Sequence, residues 1–249
     1  MTIRAVIFDI GGVVVGSPLA GIAKYELEHG LPAHYLNTAI TARGKEGSFQ
    51  RFERGKLELG AFLEEFGIEM SDVSFNNEAY SAYCRKLAKD IPSLPTELDV
   101  DGQDLFIVYM LGEASKMDPI VVNAIRRLRQ SKKYIVAALS NSFEAPKSTN
   151  ASQVGPPPEL RALFDDYVDS WVVGMRKPDP EIYKYTLERL KIRPDEAVFL
   201  DDIGLNLKPA QDLGMKTIRV YLGKSREAIK ELEAVLSMDL SAPAPESRL

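Results

Sequence analysis

Five short apolar runs recur along this 249-residue chain and restrict the architectures open to it. The runs are rich in β-branched or aromatic residues, and most lack polar alternation, as expected of strands buried on both faces of a parallel sheet. They occupy residues 5–8, 134–139, 167–172, 197–200 and 217–221.

Segments with helical periodicity lie between the later runs. Residues 119–128 and 180–190 each place their apolar side chains on one face, and the second segment begins with an Asp179 N-cap followed by Pro180. Alternating strands and helices predict an α/β fold with an open, doubly wound parallel sheet.

About a hundred residues without a convincing strand follow the first run. Residues 57–66 are amphipathic at helical spacing, and residues 76–87 are a second candidate helix. We therefore predict an α/β core from residues 1–16 and 103–240, an inserted all-helical cap at 17–102, and a flexible tail at 241–249. The insert follows strand one, at the edge where open α/β sheets bind ligands.

Composition excludes several classes of function. The net charge is −5, with 31 basic and 36 acidic side chains mixed along the chain, so no basic stripe exists to neutralise nucleic-acid phosphates. No apolar run reaches membrane-spanning length, and the N-terminus enters a strand pattern directly, without a signal peptide. We expect a protein that binds neither nucleic acid nor membrane and is kept inside the cell.

Polar residues follow four of the predicted strands at the point where each strand ends. Taken singly, such residues are usually turn formers or helix caps. Together they would bring three carboxylates, a hydroxyl, an amide and an ammonium to the edge that holds the ligand crevice. These residues are Asp9, Ser140, Asn141, Lys177, Asp201 and Asp202.

The same residues carry a family resemblance over nearly the whole chain. Asp9, Ser140, Lys177-Pro178 and Asp201-Asp202, in that order, resemble the four motifs of the haloacid dehalogenase superfamily, with the helical insert as its cap. The stretches MTIRAVIFDIGGVV, GMRKPDPEIYK and FLDDIGLNLKPAQDLGM are similar to the N-terminal phosphatase domain of soluble epoxide hydrolases and to the corresponding domain of a multidomain acyl-CoA dehydrogenase.

The resemblance implies a Mg²⁺-dependent phosphatase that acts on small or lipid phosphate monoesters. Asp9 would be the nucleophile that forms an aspartyl-phosphate. Asp9, the backbone carbonyl of Gly11 and Asp202 would hold the ion, with Asp201 contributing beside them.

The phosphoryl charge would be met by Lys177, Ser140 and the backbone N–H groups after Asp9. Asn141 would orient the substrate or the Asp9 carboxylate.

Position 11 departs from the pattern of most phosphatases in this superfamily, which carry a second aspartate there. That residue protonates the leaving oxygen and then activates water, work worth roughly 10²–10⁴-fold in rate. Gly11 has no side chain for this task. Three interpretations stay open: a slow phosphatase, a 2-haloacid dehalogenase-type hydrolase that needs no magnesium, and a non-catalytic ligand-binding module.

The resemblance ends near residue 240, where the relative continues into its epoxide-opening domain, so we expect no epoxide hydrolysis. The last three residues, Ser247-Arg248-Leu249, are similar to the peroxisomal tripeptide Ser-Lys-Leu. We therefore expect a cytoplasmic protein, or a peroxisomal one if the source is a eukaryote.

Overall fold

A computed structural model describes residues 2–144 and 158–243 of the chain, and at its centre lies a parallel five-stranded sheet. The spatial order is β3-β2-β1-β4-β5, with the first strand in the middle. This confirms the predicted doubly wound α/β fold. The strands are β1 (Ala5–Phe8), β2 (Ile135–Ser140), β3 (Asp166–Asp169), β4 (Ala197–Asp201) and β5 (Lys216–Arg219).

Helices cover both faces of this sheet. Val6 and Phe8 of β1 belong to one apolar cluster, and Ala5 and Ile7 belong to another on the opposite face, because side chains alternate along a strand. The helices of the α/β part are α7 (Pro119–Ser131), α8 (Ser170–Val173), α9 (Pro180–Leu190), α10 (Gly204–Asp212) and α11 (Ser225–Leu236).

The helical insert follows β1 and has an apolar cluster of its own. Phe52, Phe62 and Phe66 pack together inside it, with Phe49 against them. Its helices are α1 (Pro18–Glu28), α2 (Tyr35–Ala42), α3 (Ser48–Glu53), α4 (Leu59–Ser71) and α5 (Val73–Lys86). A π-helix at Asp104–Met110 runs into α6 (Leu111–Ala114), and the cluster extends to Leu111. The domain boundaries at residues 16 and 102 stay a prediction.

Two local expectations differ from the structure. The run at 167–172 is a strand only as far as Asp169, after which α8 begins, because a short apolar run does not by itself distinguish a strand from a helix. Asp179 does precede α9, but its side chain makes no capping hydrogen bond. Instead it binds Arg54 of the insert.

No helix in the described ranges is both long and apolar enough to cross a bilayer. The tripeptide Ser247-Arg248-Leu249 lies outside the described residues, so its role as a targeting signal stays a prediction.

Candidate active site

Three carboxylates meet at the carboxyl ends of the two central strands. Phe8 of β1 pairs with Leu200 of β4, so the next residues, Asp9 and Asp201, lie side by side. One oxygen from each of Asp9, Asp201 and Asp202 lies within 4.8 Å of the others. The sequence expectation that these strand ends converge is met by the geometry.

Lys177 stands between two of these acids. Its Nζ lies 2.8 Å from Asp9 Oδ1 and 2.7 Å from Asp201 Oδ2, and the residue is 0% exposed. Burial by itself lowers the pKa of Lys177, but the carboxylates of Asp201 and Asp9 outweigh it and raise that pKa above its usual value. The ammonium therefore stays charged and serves as the counter-charge of Asp9.

Asp201 is fully engaged by the protein itself. Besides Lys177, its carboxylate accepts hydrogen bonds from Ile203 N at 2.8 Å and from Asn206 Nδ2 at 3.1 Å. Both oxygens are thus used to hold Lys177 and the turn into α10. This favours Asp201 as a residue that positions Lys177 over one that binds a metal directly.

The two carboxylate oxygens of Asp202 differ in their contacts. Its Oδ2 accepts a hydrogen bond from Ser17 Oγ at 3.2 Å, while Oδ1 is buried and has no partner among the described residues. Gly12 makes room for this carboxylate, since a Cβ at that position would lie 2.1 Å from Asp202 Oδ2. Gly12 also has φ +78°, which favours glycine.

The charge balance suits a divalent cation. When ionised, the three carboxylates exceed the single Lys177 ammonium by two negative charges. Burial and the neighbouring acids raise the pKa of Asp9 well above its usual value, and burial followed by Asp201 raises the pKa of Asp202 to about 7. Oxygen ligands of this kind, with an unpartnered buried oxygen among them, fit Mg²⁺.

The side chain of Asn141 is hydrogen-bonded to the backbone of Lys177. Its Nδ2 donates to Lys177 O at 3.0 Å, and its Oδ1 accepts from Lys177 N at 2.8 Å. The amide thus fixes the segment that carries the ammonium. Ser140 lies beside it at the end of β2, with its Oγ 3.3 Å from the carbonyl of Asn141.

The backbone amides after Asp9 are partly used within the turn. Ile10 N donates to Asp9 Oδ1 at 2.6 Å, and Gly12 N donates to Val15 O at 2.8 Å. Only the amide of Gly11, among these three, donates to no described group. Fewer backbone donors are therefore available to a bound phosphoryl group than the sequence suggested.

A cavity of about 360 Å³ opens above these carboxylates, between the sheet edge and the helical insert. Asp9, Gly11, Asn141 and Asp202 line its floor, whereas Lys177, Ser140 and Asp201 lie behind that surface. The insert contributes apolar side chains and three charged ones to the opposite wall, and Met110 of the π-helix lies beside them. The insert residues include Ile22, Ile40, Phe49, Lys45, Glu53 and Arg54.

Two ion pairs join the insert to the sheet at this cavity, and sequence reasoning missed both. Arg54 Nη2 lies 2.8 Å from Asp179 Oδ2, and Arg176 Nε donates to Glu53 Oε2 at 2.7 Å. The partners are more than a hundred residues apart, so no local pattern could reveal them. The only signal is that Arg176 and Asp179 flank the Lys177-Pro178 motif.

Comparisons with known proteins agree with this geometry. The model of the haloacid dehalogenase-like hydrolase family matches residues 3–214. Mouse (Mus musculus) acyl-CoA dehydrogenase family member 10 is 34% identical over 245 residues, which cover 98% of this chain and 20% of that protein. Bifunctional epoxide hydrolase 2 of Sus scrofa is 34% identical over 242 residues, covering 96% and 40% respectively.

The chain thus spans between a fifth and two fifths of the length of these relatives. A solved structure shares the fold: a haloacid dehalogenase family enzyme of Bacteroides thetaiotaomicron, in complex with magnesium and inorganic phosphate. It is 19% identical, has a TM-score of 0.54, and covers 89% of this chain and 96% of its own. The resemblance found in the sequence motifs is confirmed.

Proposed function

Because this chain belongs to the haloacid dehalogenase-like hydrolases, we propose that it is a magnesium-dependent phosphatase that acts on small or lipid phosphate monoesters through Asp9. One observation carries the proposal. Asp9 lies at the floor of the cavity with Lys177 2.8 Å away, and nearby is an oxygen of Asp202 that has no partner in the part of the chain that the structure describes. A nucleophilic carboxylate, its fixed counter-charge and a vacant oxygen ligand are what phosphoryl transfer to an aspartate needs.

In the proposed reaction, an oxygen of Asp9 attacks phosphorus and the bond to the leaving oxygen breaks. Water then attacks the phosphorus of the aspartyl-phosphate, which frees Asp9 and inorganic phosphate. Lys177 favours the ionised form of Asp9 against the effect of its burial, and Asn141 keeps Lys177 in place through its two backbone hydrogen bonds. Ser140, at the end of β2, is proposed as a further donor to the phosphoryl oxygens.

Asp9, Asp202 and the carbonyl of Gly11 are the groups proposed to hold Mg²⁺, with Asp201 acting beside them. When bound, the ion offsets the repulsion between the Asp9 carboxylate and a phosphate dianion. The complex of the Bacteroides enzyme with magnesium and inorganic phosphate supports this assignment by analogy of fold.

The glycine at position 11 predicts a low turnover rate, since it offers no acid next to the leaving oxygen. The same feature keeps the two alternatives open. In a 2-haloacid dehalogenase-type reaction Asp9 would attack carbon, and the reaction would proceed without a metal. In a non-catalytic module the pocket would bind a phosphorylated ligand without turnover.

A panel of phosphate monoesters, assayed with MgCl₂ and again with EDTA, tests the proposal. We expect phosphate release that depends on Mg²⁺, and no halide release from 2-chloropropionate under either condition. Metal-independent halide release would favour the dehalogenase. Absence of all turnover, combined with no capture of beryllium fluoride at Asp9, would favour the binding module.

A further inference from the structure

The cavity is lined by carboxyl groups besides those of the proposed nucleophile and metal ligand. Four carboxylates line the described part of the cavity: Asp9, Glu53, Asp179 and Asp202. Asp9 and Asp202 already have roles as proposed nucleophile and metal ligand. Glu53 and Asp179 are therefore the candidates for protonating a leaving group.

Glu53 is held rigidly at the end of α3. Its Oε2 accepts a hydrogen bond from Arg176 Nε at 2.7 Å and forms an ion pair with Nη2 at 2.5 Å, and its backbone carbonyl accepts a hydrogen bond from Ser170 Oγ at 2.5 Å. Its Oε1 accepts no hydrogen bond from any described residue. One carboxyl oxygen is thus anchored, while the other has no hydrogen-bond donor among the described residues and is left for a bound ligand.

The burial of Glu53 also suits proton transfer. The side chain is 9% exposed, whereas that of Asp179 is 28% exposed and is paired with Arg54. Burial raises the pKa of Glu53 above its usual value, although the charges of Arg176, Lys177 and Arg54 act in the opposite direction. A carboxyl whose pKa is raised keeps its proton to higher pH than an exposed glutamate, which favours general acid catalysis.

We propose that Glu53, on the helical insert, is the general acid and base of this phosphatase; this rests on the function proposed above. As Asp9 attacks phosphorus, the Glu53 carboxyl gives its proton to the leaving oxygen, which departs as an alcohol. Water then attacks the phosphorus of the aspartyl-phosphate and gives a proton to the Glu53 carboxylate. The bond between phosphorus and Asp9 breaks, and phosphate leaves.

Two substrates that differ only in their leaving group test this assignment. Phenyl phosphate needs a proton on its leaving oxygen, whereas p-nitrophenolate is a weak base and leaves without one. We expect Glu53→Gln to slow single-turnover release of phenol by about 10²-fold or more, and release of p-nitrophenol by less than about tenfold. Equal slowing of the two would overturn the proposal, because a purely structural role cannot distinguish the leaving groups.

Glu65→Gln is the matched control. Glu65 is a glutamate of the insert whose Oε2 lies 2.6 Å from Arg51 Nη1, and it does not line the described cavity. We expect this variant to retain wild-type rates on both substrates. Asp179→Asn tests the competing acid: selective loss on phenyl phosphate in that variant, with Glu53→Gln unaffected, would assign the role to Asp179 and overturn our proposal.

A measurement on the unaltered protein remains decisive if Glu53→Gln does not fold. The single-turnover rate on phenyl phosphate should fall as pH rises through the raised pKa of Glu53, while the rate on p-nitrophenyl phosphate stays level. Parallel pH profiles would contradict the role of Glu53 and leave the phosphatase proposal standing. Absence of Mg²⁺-dependent release from both substrates would instead contradict the phosphatase proposal.

Discussion

The ammonium of Lys177 lies 2.8 Å from the carboxylate of Asp9, and both groups are buried. Lys177 follows β3, which is separated from β1 by β2, so the contact depends on the assembled sheet. The same ammonium binds Asp201 at the end of β4. A single cation thus links the segments that follow three different strands.

Replacing Lys177 with alanine should therefore impair both turnover and folding. Loss of a buried charge partner costs about 3–5 kcal/mol, and loss of the counter-charge should lower turnover at least about 10²-fold. Urea unfolding and phosphatase assays would measure the two effects. Lys208→Ala is the control, because Lys208 pairs with Asp212 at the exposed surface; near-wild-type kinetics in Lys177→Ala would mean that the ammonium is dispensable.

Asp9→Asn should abolish turnover while the protein stays folded. The amide cannot attack phosphorus, and its size matches that of the carboxyl it replaces. Assays with p-nitrophenyl phosphate, together with circular dichroism, would measure activity and fold. A variant that keeps most of the wild-type rate would remove Asp9 from the mechanism. Asp166→Asn, which disturbs a surface pair with Arg189, is expected to remain active.

Gly11→Asp should raise activity on substrates with poor leaving groups. A Cβ at Gly11 would approach Pro18 Cδ to 3.2 Å, a tight contact that requires a small shift of the proline. An acid restored at this position should add a factor of about ten or more to the rate. Gly11→Asn is the control of equal size without the acid. A folded Gly11→Asp variant that binds Mg²⁺ and is no faster would contradict this prediction.

Gly12→Ala should weaken metal binding as well as stability. The added Cβ would displace the Asp202 carboxylate, whose Oδ2 lies 2.1 Å from its position, and would sit at φ +78°. Gly30→Ala is the matched control: it also has a left-handed φ, of +66°, but nothing lies within 4 Å of its Cβ. We expect Gly30→Ala to cost about 1–2 kcal/mol and to keep the Mg²⁺-induced rise in Tm. An equal Mg²⁺-induced rise in Tm in the two variants would show that Gly12 does not affect metal binding.

Without a divalent cation, stability should fall as pH rises from about 4 to about 7. The pKa of Asp202 is raised to about 7 in the folded protein, so the folded state binds more protons than the unfolded state, in which an aspartate titrates near about 3.9. Thermal melts in EDTA across this range would measure the slope. Added MgCl₂ should stabilise the protein more at pH 8 than at pH 5, and an equal gain at both pH values would contradict this prediction.

Much of the site could be predicted from the sequence because strand ends are local features. The apolar runs before Asp9, Ser140 and Asp201 indicated where strands end, and parallel strands bring those ends to one edge. The runs at 167–172 and 217–221 both extend past their strands, β3 and β5, which lie at the two edges of the sheet, where fewer neighbours dictate the backbone. No local sequence pattern predicts the hydrogen bonds between the Asn141 side chain and the Lys177 backbone, because the two residues are 36 positions apart.

The sequence by itself determined the α/β fold, the helical insert and the identity of the chemical groups, since these follow from short-range periodicity and from residue types. Only the tertiary structure decided how the groups share their partners. It placed Lys177 between Asp9 and Asp201 and left an oxygen of Asp202 without a partner among the described residues. It also brought Glu53 of the insert to the cavity, where Glu53 pairs with Arg176. Such contacts join residues distant in sequence, and burial rather than spacing sets which carboxylates hold protons and which stay paired.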